Sequence, residues 1–208
     1  MDSFTLLHRA LNQNYEVDCL TFDYGQRHIK EIECARLACH ENHLPSLQIK
    51  IANVESIFAA SALTSDSIEM PHGSYQAESM QSTIVPNRNM LFISHAIAYA
   101  ISKNIKQVWY GAHAGDHFIY PDCRPEFLSA MNAVAQICHT FPISVEAPFL
   151  NYSKAEIVKI GLDLGIDYSK TWTCYEGQDQ ACGKCGSCNE RLEAFALNNT
   201  ADPLTYQD

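Results

Sequence analysis

Three observations predict an α/β fold with a parallel sheet and helices on both of its faces. Apolar runs of strand character recur along the chain: VDCLTFDY, LQIKIA, QVWYGAH and ISVEAPF. Between them lie longer stretches with apolar residues at helical spacing, so strand and helix alternate as in βαβ units. Of the 208 residues 47% are hydrophobic and 18% charged, enough apolar side chains to fill the core of one domain or one domain with an appendage. The same composition excludes other classes. No apolar run reaches the roughly 20 residues that span a bilayer, so no membrane segment is expected. The opening MDSFTLLHRALNQN lacks the basic start and apolar run of a signal peptide. A net charge of −10 opposes the neutralisation of phosphates, so a broad nucleic-acid surface is not expected.

In order, DSFTLLHRALNQN reads as a helix with Asp2 and Ser3 as capping residues and Phe4, Leu7, His8 and Leu11 at helical spacing. VDCLTFDY is a strand. RHIKEIECARLACHENH is a helix with Ile29, Ile32, Leu37 and Ala38 inward, and LQIKIA alternates like a strand. From Asn53 to Val85 the pattern weakens into a polar, Ser-rich connection, read as functional or mobile, with a lid over substrate as the hypothesis. After Pro86 comes the helix NRNMLFISHAIAYAISKN, then the buried strand QVWYGAH, the helix RPEFLSAMNAVAQICHTF and the extended ISVEAPF. SKAEIVKIGLDLG is a helix capped by Ser153 and stopped at Gly165.

Nine cysteines in a chain read as cytoplasmic point to thiols and metal ligands rather than disulfides. Cys19, Cys34, Cys39, Cys123 and Cys138 are scattered and read as buried, inert thiols. Cys174, Cys182, Cys185 and Cys188 form C-x₇-C-x₂-C-x₂-C, and four thiolates make the closed tetrahedral shell of structural zinc. An iron–sulfur cluster is the alternative. A zinc ribbon for nucleic acid is disfavoured by the acid in the flanks YEGQDQA and NERLEAFALNN.

Neither GxxxxGK[ST] nor a GxGxxG after a strand occurs. Instead MDS at the start resembles the second half of SGGxDS, the pyrophosphate loop of the PP-loop ATP pyrophosphatases. FDYGQRH (22–28), SALTSDS (61–67), VPNRN (85–89), YPDCR (120–124), SKAEI (153–157) and the four-cysteine loop follow in one order. Together they resemble the 7-cyano-7-deazaguanine synthases of queuosine biosynthesis over essentially the whole chain. The resemblance implies a Rossmann-like fold of the adenine nucleotide alpha hydrolase type, truncated at its N-terminus, over 1–150. It implies a helical segment with the zinc site over 151–208. It also implies a ligase that turns 7-carboxy-7-deazaguanine, ammonia and two ATP into the nitrile, with two AMP and two pyrophosphate. Carboxylate and then amide oxygen are adenylylated in turn, and AMP leaves each time.

On the same resemblance Asp2, Ser3, Arg88 and Lys154 are catalytic, and Asp2, Ser3, Phe4, Tyr24 and Arg27 hold ATP with magnesium. Asp116, Tyr120, Asp122 and Arg124, after the strand QVWYGAH, hold the substrate: an acid for the guanine-like N–H face and Arg124 for the carboxylate. Lys154 in a first helical turn opposes the helix dipole, which favours an anion nearby. His28 reads first as a helix-surface histidine and second as a general base. No glutaminase triad is visible, so ammonia arrives free or from a partner. A small-molecule substrate, a homodimer and neither nucleic acid nor membrane complete the expectation. The SGG half of the loop and the strand before it are absent from this sequence. Three origins stay open: an internal methionine taken as the start, a trimmed piece, or a degenerate protein that has lost ATP binding. A polypeptide of this extent is expected to fold poorly or to lack activity. The rival readings are another PP-loop ATP pyrophosphatase, tRNA-thiolating or amide-forming, and a catalytically dead, zinc-stabilised homologue.

Overall fold

A computed structural model describes residues 1–52, 55–75 and 78–207. The chain is α/β and divides into two compact units, Met1–Pro86 with Lys154–Asp208, and Asn87–Ser153.

In the first unit, α1 (Asp2–Asn12) buries Thr5, Leu6 and Ala10. Its N-cap is Met1, with no side-chain cap; Asp2 and Ser3 are already inside the first turn, where an acid suits the helix dipole. β1 (Cys19–Asp23), α2 (Lys30–Glu41) and β2 (Ser46–Lys50) form a βαβ unit. The strands pair in parallel, with Cys19 opposite Ser46 and Asp23 opposite Lys50. Ile32 and Ala38 of α2 face inward as expected, but Ile29 and Leu37 are exposed. Ile29 precedes the helix as its N-cap, and Leu37 is rotated off the stripe that Ile32, Ala38 and Cys39 make.

Of the Asn53–Val85 connection, Asn53, Val54, Gln76 and Ala77 lie outside the described residues. The rest is packed. Around α3 (Glu55–Phe58) and a 3₁₀ turn at Glu78–Thr83, the residues Phe58, Ala62, Leu63, Met70 and Met80 are buried. Isolated apolar residues without a period do this work, which is why the stretch reads as polar.

α6 (Lys154–Asp163) begins directly after Ser153, and Gly165 takes the left-handed φ of +70° that stops the helix. It packs against α1 and against α7 (Gly186–Leu197) over a core of Val158, Ile166, Tyr168, Ala194 and Phe195. Gly161 is required there. A Cβ on it would collide with the Tyr168 hydroxyl, which bonds Thr5 Oγ1 at 2.8 Å and Ile157 O at 3.3 Å. Gly161→Ala is therefore expected to destabilise by about 1–3 kcal/mol through overpacking; an unchanged urea midpoint would refute this.

The second unit contains α4 (Arg88–Lys103), β3 (Gln107–Trp109), α5 (Pro125–Ile137) and β4 (Ser144–Glu146), with β3 and β4 parallel. Ile93, Ile97 and Ala100 of α4 meet Met131 and Ala135 of α5 and Val145 of β4 in its core. The strand in QVWYGAH is shorter than its apolar run, although Tyr110 N still donates to Glu146 O at 3.1 Å. Cys138 is exposed, because it falls at the C-cap of α5 outside the buried stripe. Among the described residues no helix is long and apolar enough to cross a membrane.

Candidate functional site

The four cysteines of the C-terminal loop converge. Cys174, Cys185 and Cys188 are fully buried and Cys182 nearly so, and their sulfurs all lie within 4.8 Å of one another. Backbone N–H groups of Cys182 and Cys185 reach Cys174 Sγ and Cys182 Sγ, each at 3.3 Å, as expected where the sulfurs carry charge. Hydrogen bonds from the Cys185 and Cys188 thiols hold the Cys174 sulfur far below the ordinary thiol range. Those two donors are held high in turn, Cys185 at about 12. A metal ion takes cysteine as thiolate, so binding one here would release the protons that these thiols hold. One ion at about 2.3 Å from four sulfurs sets them about 3.8 Å apart; Cys182 and Cys188 Sγ are 3.9 Å apart. A polynuclear iron–sulfur cluster would hold its thiolates farther apart than this. The residues therefore fit a single metal ion.

Three remote segments are laced to this loop. His72 bridges to Cys185, Gly73 N donates to Lys184 O at 3.1 Å, and Asn189 Nδ2 donates to Gly73 O at 2.6 Å. Arg27 faces Glu176 at 3.8 Å and Asp66 at 3.5 Å, and its backbone N–H donates to Leu63 O at 2.9 Å. Gly177, at φ +67°, lies so close to Arg27 O that a Cβ would not fit. The third segment is the C-terminal tail, where Gln207 N donates to Ala181 O at 2.9 Å. That tail is fixed by a buried pair, Arg191 Nε to Asp202 Oδ2 at 2.6 Å and Nη2 to Oδ1 at 2.8 Å. Arg191 also donates to Thr171 Oγ1 at 2.7 Å and Tyr168 O at 3.0 Å, and Tyr206 donates to Asp202 at 2.6 Å. Burial pushes the Asp202 carboxyl up, but the hydrogen bonds from Arg191 and Tyr206 outweigh it and hold it below the usual carboxylate range.

Lys154 is buried at 8% exposure rather than lying on the surface. Its ammonium stands 2.6 Å from Asp2 and 3.3 Å from Glu190, so one cation at the start of α6 joins the start of α1 to the second turn of α7. Ser3 is exposed; Phe4 packs at the edge of the Tyr168 core, its ring 4.7 Å from His8. Tyr24 is 3% exposed and meets Phe58 edge to face. In the loop it opens, Gln26 turns inward, accepting from Tyr24 N and donating to Phe22 O, both at 2.9 Å. His28 is not on a helix surface. It is buried at 5% exposure against Tyr24 and Tyr175, with Glu31 at 3.4 Å from Nε2.

In the second unit the expected substrate residues follow β3. Asp122 Oδ2 accepts from Asn89 N at 3.1 Å in the first turn of α4, a favourable place for an acid. Asp116 is braced by His113, from its backbone N–H at 3.4 Å and from Nε2 at 3.5 Å. Gly115 N donates to His113 Nδ1 at 3.1 Å, which assigns the ring proton to Nε2 and aims it at Asp116. Tyr120 is buried; Arg124 is exposed and donates to His117 O at 2.8 Å. Arg88 is half-buried, its guanidinium 6.0 Å from the Phe92 ring centre.

Sequence reasoning missed Glu190, Asn189, Arg191, Asp202 and His113. Glu190 and Asn189 were hidden in a flank that reads as solvated. The signal that could have found Arg191 was its place three residues after Cys188, one helical turn inward from the cluster.

A family model described as queuosine biosynthesis protein QueC matches residues 1–199. A protein of Psychromonas ingrahamii named 7-cyano-7-deazaguanine synthase is 55% identical over 208 residues, 100% of this chain and 94% of its own. One from Colwellia psychrerythraea, 7-cyano-7-deazaguanine synthase 1, is 53% identical over 207 residues and 94% of its length. A third, from Hahella chejuensis, is 52% identical over 207 residues and 89% of its length. These matches run through the cysteine loop, the Lys154 cluster and the loops after β3, and on them the chain belongs to the queuosine biosynthesis QueC family.

Proposed function

We propose that this protein converts 7-carboxy-7-deazaguanine and ammonia to 7-cyano-7-deazaguanine, with ATP consumed as a substrate. The observation that carries this reading is full-length similarity to relatives named for that activity, at half or more of all positions. The geometry supports it. Lys154, held buried at the start of α6 between Asp2 of α1 and Glu190 of α7, is a fixed cation suited to the charge of pyrophosphate as it leaves. Asp2 and Glu190 beside it offer the hard oxygen donors that magnesium takes, and that ion would neutralise phosphate charge. Ser3, Phe4, Tyr24 and Arg27 are assigned to the nucleotide side. Arg27 has a further duty in bracing the 61–68 segment, whose carbonyls at Ala62 and Ile68 it approaches at 3.5 Å. Arg88 is assigned to phosphate, Asp116, Tyr120 and Asp122 to the heterocycle, and Arg124 to its carboxylate.

The chain's own groups supply binding, orientation and charge; a carboxylate is a poor electrophile, and activation at oxygen makes it open to ammonia. The metal of the cysteine loop is zinc in this reading. Its four protein ligands leave no position for water, so it holds the fold rather than taking part in the reaction. The fold is Rossmann-like and the protein a cytoplasmic homodimer.

The full-length gene product, supplied with Mg-ATP, ammonium and 7-carboxy-7-deazaguanine, is expected to yield the nitrile and AMP by mass spectrometry. Lys154→Met is expected to lower kcat/KM for ATP by about 10²–10³, the scale of losing one preorganised transition-state contact. A variant that stays folded and turns over at the parent rate would remove Lys154 from the machinery. Production of an amide, with no nitrile, would favour an amide-forming relative.

A further inference from the structure

Of the four cysteines only Cys182 keeps any exposure, 6%, against 0% for Cys174, Cys185 and Cys188. An ion held by all four is therefore reached from the Cys182 side, and a competing ligand displaces that sulfur first. The segment after α7 lies across this side. Tyr206 pairs with Ala181 in a parallel bridge, and Gln207 N donates to Ala181 O at 2.9 Å. The Tyr206 ring lies on Gly183, where a Cβ would stand 3.4 Å from it. One tyrosine thus covers both chain neighbours of Cys182.

The segment is seated by its alternate residues. Asp202, Leu204 and Tyr206 are half-buried, while Pro203 and Thr205 are exposed. One carboxylate ties them together. Asp202 accepts from Arg191 at 2.6 and 2.8 Å, from Leu204 N at 3.0 Å and from the Tyr206 hydroxyl at 2.6 Å. The far end borders open space. Gln207 Nε2 donates to Gln178 Oε1 at 2.5 Å, at the rim of a polar cleft of about 680 Å³ lined by Gln178, Asp179, Gln180 and Gln207. The segment is therefore anchored deeply at Asp202 and lightly at Tyr206 and Gln207, which is the build of a hinged cover.

We propose that residues 202–207 form a strap that gates exchange of the metal ion. With Tyr206 seated the ion is trapped, and it enters or leaves past Cys182 only when the strap lifts. Such local opening sets the rates of entry and release alike. The affinity, which the four sulfurs set, is left unchanged.

The test uses the full-length gene product loaded with one zinc per chain. It is challenged with an excess of a chromophoric chelator, and zinc affinity is measured separately by competition titration. Tyr206→Phe keeps the ring on Gly183 and loses only the bond to Asp202. Its release of zinc should quicken about three- to tenfold, the worth of one hydrogen bond. Tyr206→Ala also uncovers Gly183 and should release faster still. The affinity of both variants should match the parent's. Release from Tyr206→Phe at the parent rate overturns the inference, as does a parent that holds no zinc. A loss of affinity in proportion to the faster release also overturns it, since the site would then be weakened rather than ungated. Should Tyr206→Ala fail to fold, the Tyr206→Phe rates decide.

Discussion

Cys182→Ser or Cys188→Ser is expected to bring down metal content and stability together. The parent should carry one zinc per chain and the variants far less. Structural zinc contributes about 10 kcal/mol or more to small zinc-folded peptides. This chain also has cores of its own, around Tyr168 and around Ile97, so part of its fold should outlast the metal. A fall in melting temperature of about 10–20 °C is the expected scale for several kcal/mol in a protein of this size. The loss should not stay local. Gly73 and His72 hang on Lys184 and Cys185, and Arg27 faces Glu176, so the 61–75 segment and the 22–28 loop should lose protection from hydrogen exchange with the metal. Chelation of the parent should reproduce the pattern. Unchanged exchange in 61–75 after full metal removal would show that the lacing stands without the ion.

The second large effect lies at Arg191. It is fully buried, gives hydrogen bonds to Asp202, Thr171 and Tyr168, and leaves Asp202 buried if removed. Arg191→Met is expected to destabilise by about 3–5 kcal/mol, the cost of an uncompensated buried charge. The double change with Asp202→Leu should recover much of it, since an apolar pair carries no desolvation cost. The pair also sets a pH dependence. The Asp202 carboxyl is held below its unfolded value, so its contribution is complete above the ordinary carboxylate range near about pH 4. That contribution is lost as the pH falls through the lower folded value. Urea midpoints measured between neutral pH and pH 3 should fall less steeply for Asp202→Asn than for the parent; parallel curves would exclude Asp202 as a source of acid sensitivity.

What the sequence made legible follows from what repeats or clusters along it. Helical periods placed α1, α2, α4, α5 and α6, and the crowding of Cys174 to Cys188 placed the metal centre. Contacts made across distance were not legible. Arg191 meets Asp202 through a tail that has no periodic pattern, and Lys154 gains its role from Asp2, 152 positions away. The 55–85 connection hid its packing because Phe58, Leu63 and Met80 are spaced irregularly among serines. His28 was misjudged for the same reason. Its partner Tyr24 is near in sequence, but Tyr175 reaches it from a segment far along the chain, beside Gly177 packed on Arg27 O, which the linear sequence does not advertise. Ile29 and Leu37 show the converse, apolar residues at nearly the right spacing that are left exposed, one ahead of the helix and one rotated off its stripe.

The measurement closest to the central claim follows oxygen. The full-length gene product is given 7-carboxy-7-deazaguanine labelled with ¹⁸O in both carboxyl oxygens, together with unlabelled Mg-ATP and ¹⁵N-ammonium. Activation at the carboxylate and then at the amide oxygen sends each label out with a departing nucleotide. The account predicts nitrile carrying ¹⁵N, AMP carrying one ¹⁸O per molecule, and unlabelled pyrophosphate. Label in ADP or inorganic phosphate, or nitrile formed with unlabelled AMP, would contradict it.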